Sequence, residues 1–70
     1  MNATEIVRLR DYFREKFNSP TIEIRGRSNK DDSVEVYLGE EFLGVIFKDE
    51  EDGDLAYQFN MAILDIDLPE

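Results

Sequence analysis

Side chains able to do chemistry in this chain are almost all carboxylates, and the densest group is the run Asp49, Glu50, Glu51, Asp52, Gly53, Asp54. Calcium and magnesium take oxygen ligands, so five acids around one glycine form a candidate cation-binding turn. Two other readings stay open: a solvated turn that discourages edge pairing, and a patch for a basic partner. The spacing departs from an EF-hand loop, which needs a bidentate glutamate well after its glycine. Here Gly53 is followed by Asp54, Leu55, Ala56 and Tyr57, and the next glutamate is Glu70. No metal ligand set is assigned on this spacing.

Asp65 and Asp67 share one side if their segment is extended, and with Glu35 or Glu23 they could imitate an acid/base pair. Glycosidase-like chemistry needs two carboxylates across a cleft with separated pKa values, and so small a domain leaves little volume for one. Ser19, Ser28 and Ser33 have no imidazole base, because the chain contains no histidine. It contains no cysteine either. That closes off disulfide frameworks, thiolate zinc sites, the usual iron–sulfur ligation and catalytic thiols. The expectation is a protein that is not an enzyme and uses no cofactor or small-molecule substrate.

Apart from Lys48, the basic side chains occur as Arg8, Arg10, Arg14 and Lys16, then Arg25, Arg27 and Lys30. A nucleic-acid surface would use such groups against phosphate, but they are interleaved with acids and the whole chain carries -9. Neither nucleic acid nor a membrane is an expected partner. The imbalance is local: residues 1–48 hold eight bases and nine acids, whereas residues 49–70 hold eight acids and no base.

The elements that position these groups follow from periodicity. Residues 4–17 read as an amphipathic helix, with Ile6, Leu9, Phe13 and Phe17 within an arc of about 80° forming the buried stripe. Arg8, Asp11, Arg14 and Glu15 fall opposite, where Arg8/Asp11 and Asp11/Arg14 have the spacing of helical ion pairs. Asn2 and Glu5 form a candidate capping box, with Thr4 as the competing cap, and Asn18-Ser19-Pro20 ends the helix. The period then changes to two. Ile22 and Ile24 mark a first strand, Gly26 to Asp32 a polar connection, and Val34, Val36 and Leu38 a second strand. Gly39-Glu40 is a tight hairpin turn into a third strand over Glu41 to Lys48.

That third strand is apolar on both sides. Alternation places Leu43, Val45 and Phe47 on one face and Phe42, Gly44 and Ile46 on the other. One helix covers one face, so the second must be covered by the C-terminal segment or offered to a partner. Gly44 suits a bulge or a close backbone approach. A fourth strand runs from Leu55 to about Asn60. Leu64, Ile66 and Leu68 then alternate with Asp65 and Asp67 as an extended, half-buried tail, with a helical turn at Met61 to Leu64 as the alternative. The expected architecture is α+β: an N-terminal amphipathic helix packed on a three- to four-stranded antiparallel meander, forming one domain over residues 1–70.

Tyr12 lies off the helix stripe and Tyr37 opposes Val36 in the alternation. With Phe42 and Ile46 they make the candidate partner-binding surface, because tyrosine combines apolar area with a polar tip. No run approaches the ~18 apolar residues of a membrane span, and the opening residues lack a secretory or lipidation signal. A cytoplasmic location is expected.

The segment Lys30-Asp31-Asp32-Ser33-Val34-Glu35-Val36-Tyr37-Leu38-Gly39, continuing through Phe42-Leu43-Gly44-Val45, resembles a family of short acidic alphaproteobacterial proteins, domain of unknown function 3126. So do the run from Asp49 to Leu55 and the tail from Met61 to Leu68. The resemblance covers nearly the whole chain. It implies a bacterial cytoplasmic origin and carries no activity, cofactor or catalytic residue. Three functions compete: a protein-interaction or regulatory module, a weak divalent-cation binder using residues 49–54, and a homodimer that buries the surplus apolar face.

Overall fold

The helix begins where its first turn can be capped. In the computed structural model, which describes residues 1–27 and 30–70 apart from the side chains of Lys30, Asp31 and Asp52, helix α1 spans Ala3–Lys16. Asn2 Oδ1 accepts from the Glu5 amide at 2.8 Å, and Glu5 Oε1 accepts from the Asn2 amide at 3.1 Å. This reciprocal box satisfies two backbone donors that would otherwise lack partners. At the other end Asn18 takes φ 49°, a left-handed conformation that asparagine tolerates better than most residues. The Ser19 amide then donates to Arg14 O at 2.9 Å and the Asn18 amide to Glu15 O at 3.2 Å, a Schellman ending.

Four strands follow in sequence order: β1 (Ile22–Arg27), β2 (Lys30–Leu38), β3 (Glu41–Asp49) and β4 (Ala56–Asn60). Every neighbouring pair is antiparallel. Both strands flanking the expected Gly26 to Asp32 connection extend further than their apolar residues suggest, with Arg27 opposite Lys30. Ser28 and Asn29 lie outside the described residues. Gly39 adopts φ 60° at the first position of the β2–β3 turn, the backbone shape that a glycine there permits. Short 3-10 turns occupy Glu51–Gly53 and Asp65–Asp67.

One sheet face carries the core. Leu9 and Phe13 of α1 pack on Ile22, Ile24, Val34, Val36 and Ile46, with Ile6, Leu43, Tyr57 and Phe59 at its margin. Helix on sheet is a standard two-layer solution. The helix lies over β1. Arg14 reinforces that seat, its Nε donating to Ile22 O at 2.8 Å and its Nη2 meeting Glu23 at 3.1 Å. The ion pairs expected along the helix therefore do not form: Arg14 turns to β1, and Asp11 pairs with adjacent Arg10 at 3.0 Å.

Three further expectations are corrected. Phe17, the last member of the predicted stripe, is the C-cap and is 56% exposed, its ring packing beside Phe13 at 5.5 Å at the end of the helix. The faces of β3 are also redistributed. Val36 pairs with Gly44 but Tyr37 pairs with Phe42, leaving Leu43 as an extra residue in a bulge. A bulge reverses the alternation. Leu43 consequently joins Gly44 and Ile46 on the helix side, while Phe42 joins Val45 and Phe47 on the open side. Finally, residues 61–70 are exposed throughout instead of half-buried, and their helical turn falls at 65–67 rather than at Met61 to Leu64. No helix among the described residues is long and apolar enough to cross a membrane.

Candidate functional site

The four candidate binding residues separate onto two surfaces. Tyr37 and Phe42 lie on the open sheet face, rings 5.6 Å apart and edge-on at 71°, with the Arg25 guanidinium 4.1 Å from the Tyr37 centroid. The Tyr37 hydroxyl donates to Glu35 at 3.2 Å. Phe42 is 51% exposed, and beside it Phe47 and Val45 frame a shallow concavity of about 460 Å³ that reaches Met61. Ile46 does not belong there. At 1% exposure it is a core residue, because the Leu43 bulge turns its side chain toward α1.

Ile46 instead helps floor a groove of about 490 Å³ between α1 and β4. The groove exists because α1 sits toward β1 and leaves the β3–β4 half of the helix-side face less covered. Leu9, Phe13 and Phe59 complete the floor; the Phe13 and Phe59 rings meet edge-on at 5.2 Å and 89°. Tyr12, 58% exposed, and Phe17 line its helix side. Arg8 and Lys16 lie along that same side. Their four-residue spacing with Tyr12 puts all three on one flank of the helix. That spacing is the sequence signal for this surface, and it is hidden when Arg8 is placed opposite the buried stripe with Asp11, Arg14 and Glu15.

A polar cluster closes one end of the groove. Glu5 Oε2 accepts from the Tyr57 hydroxyl at 2.7 Å and faces Lys48 Nζ at 2.9 Å. These contacts, first the Lys48 hydrogen bond and then those from Tyr57 and Asn2, lower the Glu5 pKa to about 2 from its ordinary 4.5. Lys48 and Tyr57 move up, each chiefly through its hydrogen bond to Glu5. The cluster joins the first turn of α1 to β3 and β4. Its carboxylate stays ionised across the neutral range, which suits an anchor better than a proton donor.

The acidic turn has local partners. Asp49 Oδ1 accepts from the Glu51 amide at 3.0 Å, Glu50 lies 3.6 Å from Lys48, and Gly53 takes φ 77°. Glu51 and Asp54 are exposed, and the Asp52 side chain lies outside the described residues. Among the described residues no three acids converge as a metal site would require. Asp67 caps its own turn by accepting from the Leu64 amide at 3.2 Å, and Asp65 points to solvent. Ser33 is buried with its hydroxyl bonded by Arg27 at 3.1 Å. Arg10, Arg14, Arg25 and Arg27 are thus engaged within the fold.

Over residues 5–67 the chain matches the family described as Protein of unknown function (DUF3126). That span is most of the chain, and the chain belongs to this family. No curated protein and no solved structure matches it.

Proposed function

We propose that this member of the family is a small non-enzymatic interaction module, working in the cytoplasm, that receives an apolar protein segment in the groove between α1 and β4. One observation carries the reading: an apolar floor is flanked by exposed Tyr12 and Phe17, with the cations Arg8 and Lys16 on the same flank. Interfaces join aromatic anchors to a polar rim in this way. The ionised Glu5 supports a non-catalytic role, as does the absence of histidine and cysteine from the chain.

Affinity capture with the immobilised chain tests this. A specific partner should be retained, lost in a folded Tyr12→Asp variant and kept in a Phe42→Asp variant. The opposite pattern would move the site to the open sheet face. No specific partner of any kind, the chain itself included, would end the interaction reading.

A further inference from the structure

We infer that the occupant of the α1/β4 groove is segment 61–68 of a second copy of this chain, two copies exchanging arms about a two-fold axis. The inference rests on the docking role proposed above and adds the identity of what docks.

The segment carries Ile63, Leu64, Ile66 and Leu68, all more than half exposed, with Ile66 at 87%. Apolar side chains scattered singly over a surface need no explanation, but a contiguous group of this kind marks an interaction site. The segment is also locally ordered. Leu64 O accepts from the Asp67 amide at 2.9 Å while Asp67 Oδ2 accepts from the Leu64 amide, so its apolar side chains are presented on a preformed turn. Preformed shape lowers the ordering cost of binding.

Direction favours a second copy. β4 runs in the same sense as α1, since Tyr57 meets Glu5 in the first helical turn and Phe59 meets Phe13 near the last. The chain therefore leaves β4 at the Phe17 end of its own groove. Entering that groove would require a reversal directly after Asn60, and residues 61–64 form no turn, although Asn60 is a residue that could open one. A copy related by a two-fold axis presents the same open end to the departing arm, which then runs antiparallel to β4. Such a contact is self-complementary and closed. Reach is sufficient with the turn kept, because five extended residues and the three of the Asp65–Asp67 turn span up to ~22 Å and a fourteen-residue helix is ~21 Å long.

Charge points the same way. Arg8 and Lys16 have no ion-pair partner among the described residues, and the arm interleaves Asp65 and Asp67 with Leu64, Ile66 and Leu68. Complementary rims set register and exclude wrong partners.

Sedimentation equilibrium of the full chain, from ~1 μM to ~1 mM, should show a monomer–dimer equilibrium. Ile66→Asp alters a solvent-facing side chain and should weaken dimerisation at least ~10-fold with folding retained. Arg8→Glu with Lys16→Glu should weaken it too, and adding Asp65→Lys, which leaves the Asp67 cap of the arm's turn intact, should recover at least ~3-fold of the loss. Circular dichroism checks that each variant is folded. A strict monomer over the whole range overturns arm exchange, and if that monomer captures a different protein through Tyr12 the docking role stands without it. A dimer indifferent to Ile66→Asp, or charge reversal without rescue, also overturns the inference.

Discussion

Replacing Gly44 by alanine adds one methyl group, and the surroundings of that methyl decide the sign of the effect. Gly44 is buried on β3 beside the Leu43 bulge and pairs with fully buried Val36. A Cβ built there collides with the Asn60 carbonyl oxygen and lies 2.9 Å from Phe59 Cε1 and 3.1 Å from the Asn60 carbonyl carbon. The Phe59 ring can rotate, but the Asn60 backbone moves only if the end of β4 moves. Overpacking of this kind costs about 1–3 kcal/mol. Stiffening the unfolded chain returns about 0.4–1 kcal/mol. The net expectation is a loss of about 0–2.6 kcal/mol, centred on ~1.3 kcal/mol, which is equivalent to a melting temperature lower by ~5–10 °C for a domain of this size. Urea unfolding followed by circular dichroism measures it, and amide exchange should accelerate selectively at Gln58 to Asn60. A variant that unfolds at higher urea than the native chain would refute the reasoning, because the entropic gain alone predicts stabilisation.

The reassignment of β3 has its own test: Ile46→Ala should cost about 2–5 kcal/mol as a core deletion, whereas Phe42→Asp should cost about 1 kcal/mol. Comparable losses in equilibrium unfolding would contradict the bulge-determined faces. The Glu5 cluster predicts an acid limb. With the folded pKa at about 2 against an ordinary 4.5, the folded state favours the carboxylate, so its stabilisation is complete above pH 4.5 and is lost as pH falls toward 2. Glu5→Gln should flatten that part of the stability curve, and an unchanged acid limb would remove the cluster from the account. The raised values of Lys48 and Tyr57 act at the other end, supplying stability below pH 10 that disappears as pH rises through their folded values. Tyr57→Phe should diminish the alkaline loss in the same titration.

Where a residue's role depends on its near neighbours, the sequence was readable. Asn2 and Glu5 announce the cap, Ile22 with Ile24 and Val34 with Val36 announce strands covered on one face, and Gly39 announces the turn. Gly44 was legible as a close approach, though the backbone it approaches was not. The misreading of Ile46 has a specific cause: the extra residue at Leu43 arises from pairing two chain segments, and no local alternation encodes it. The predicted surface of Tyr12, Tyr37, Phe42 and Ile46 was consequently drawn across two sides of one sheet. The tail failed differently. Its alternation shows compatibility with burial, but burial also requires the chain to turn back onto an apolar surface, and residues 61–70 stay exposed, filling neither the groove nor the open sheet face.

The sheet order β1-β2-β3-β4 also bears on how the chain folds. Each ladder joins segments adjacent in sequence, so the entropy of closing the intervening loop is small at every step and folding should be fast for a β-containing domain. The contacts of α1 with β3 and β4 are the exception, the bond from Tyr57 to Glu5 linking residues 52 apart. A contact of that span forms late, after the meander has brought β4 back beside the helix. Its loss should accelerate unfolding while leaving the folding rate almost unchanged. The polar cluster at the end of the groove would then govern how long the assembled fold persists.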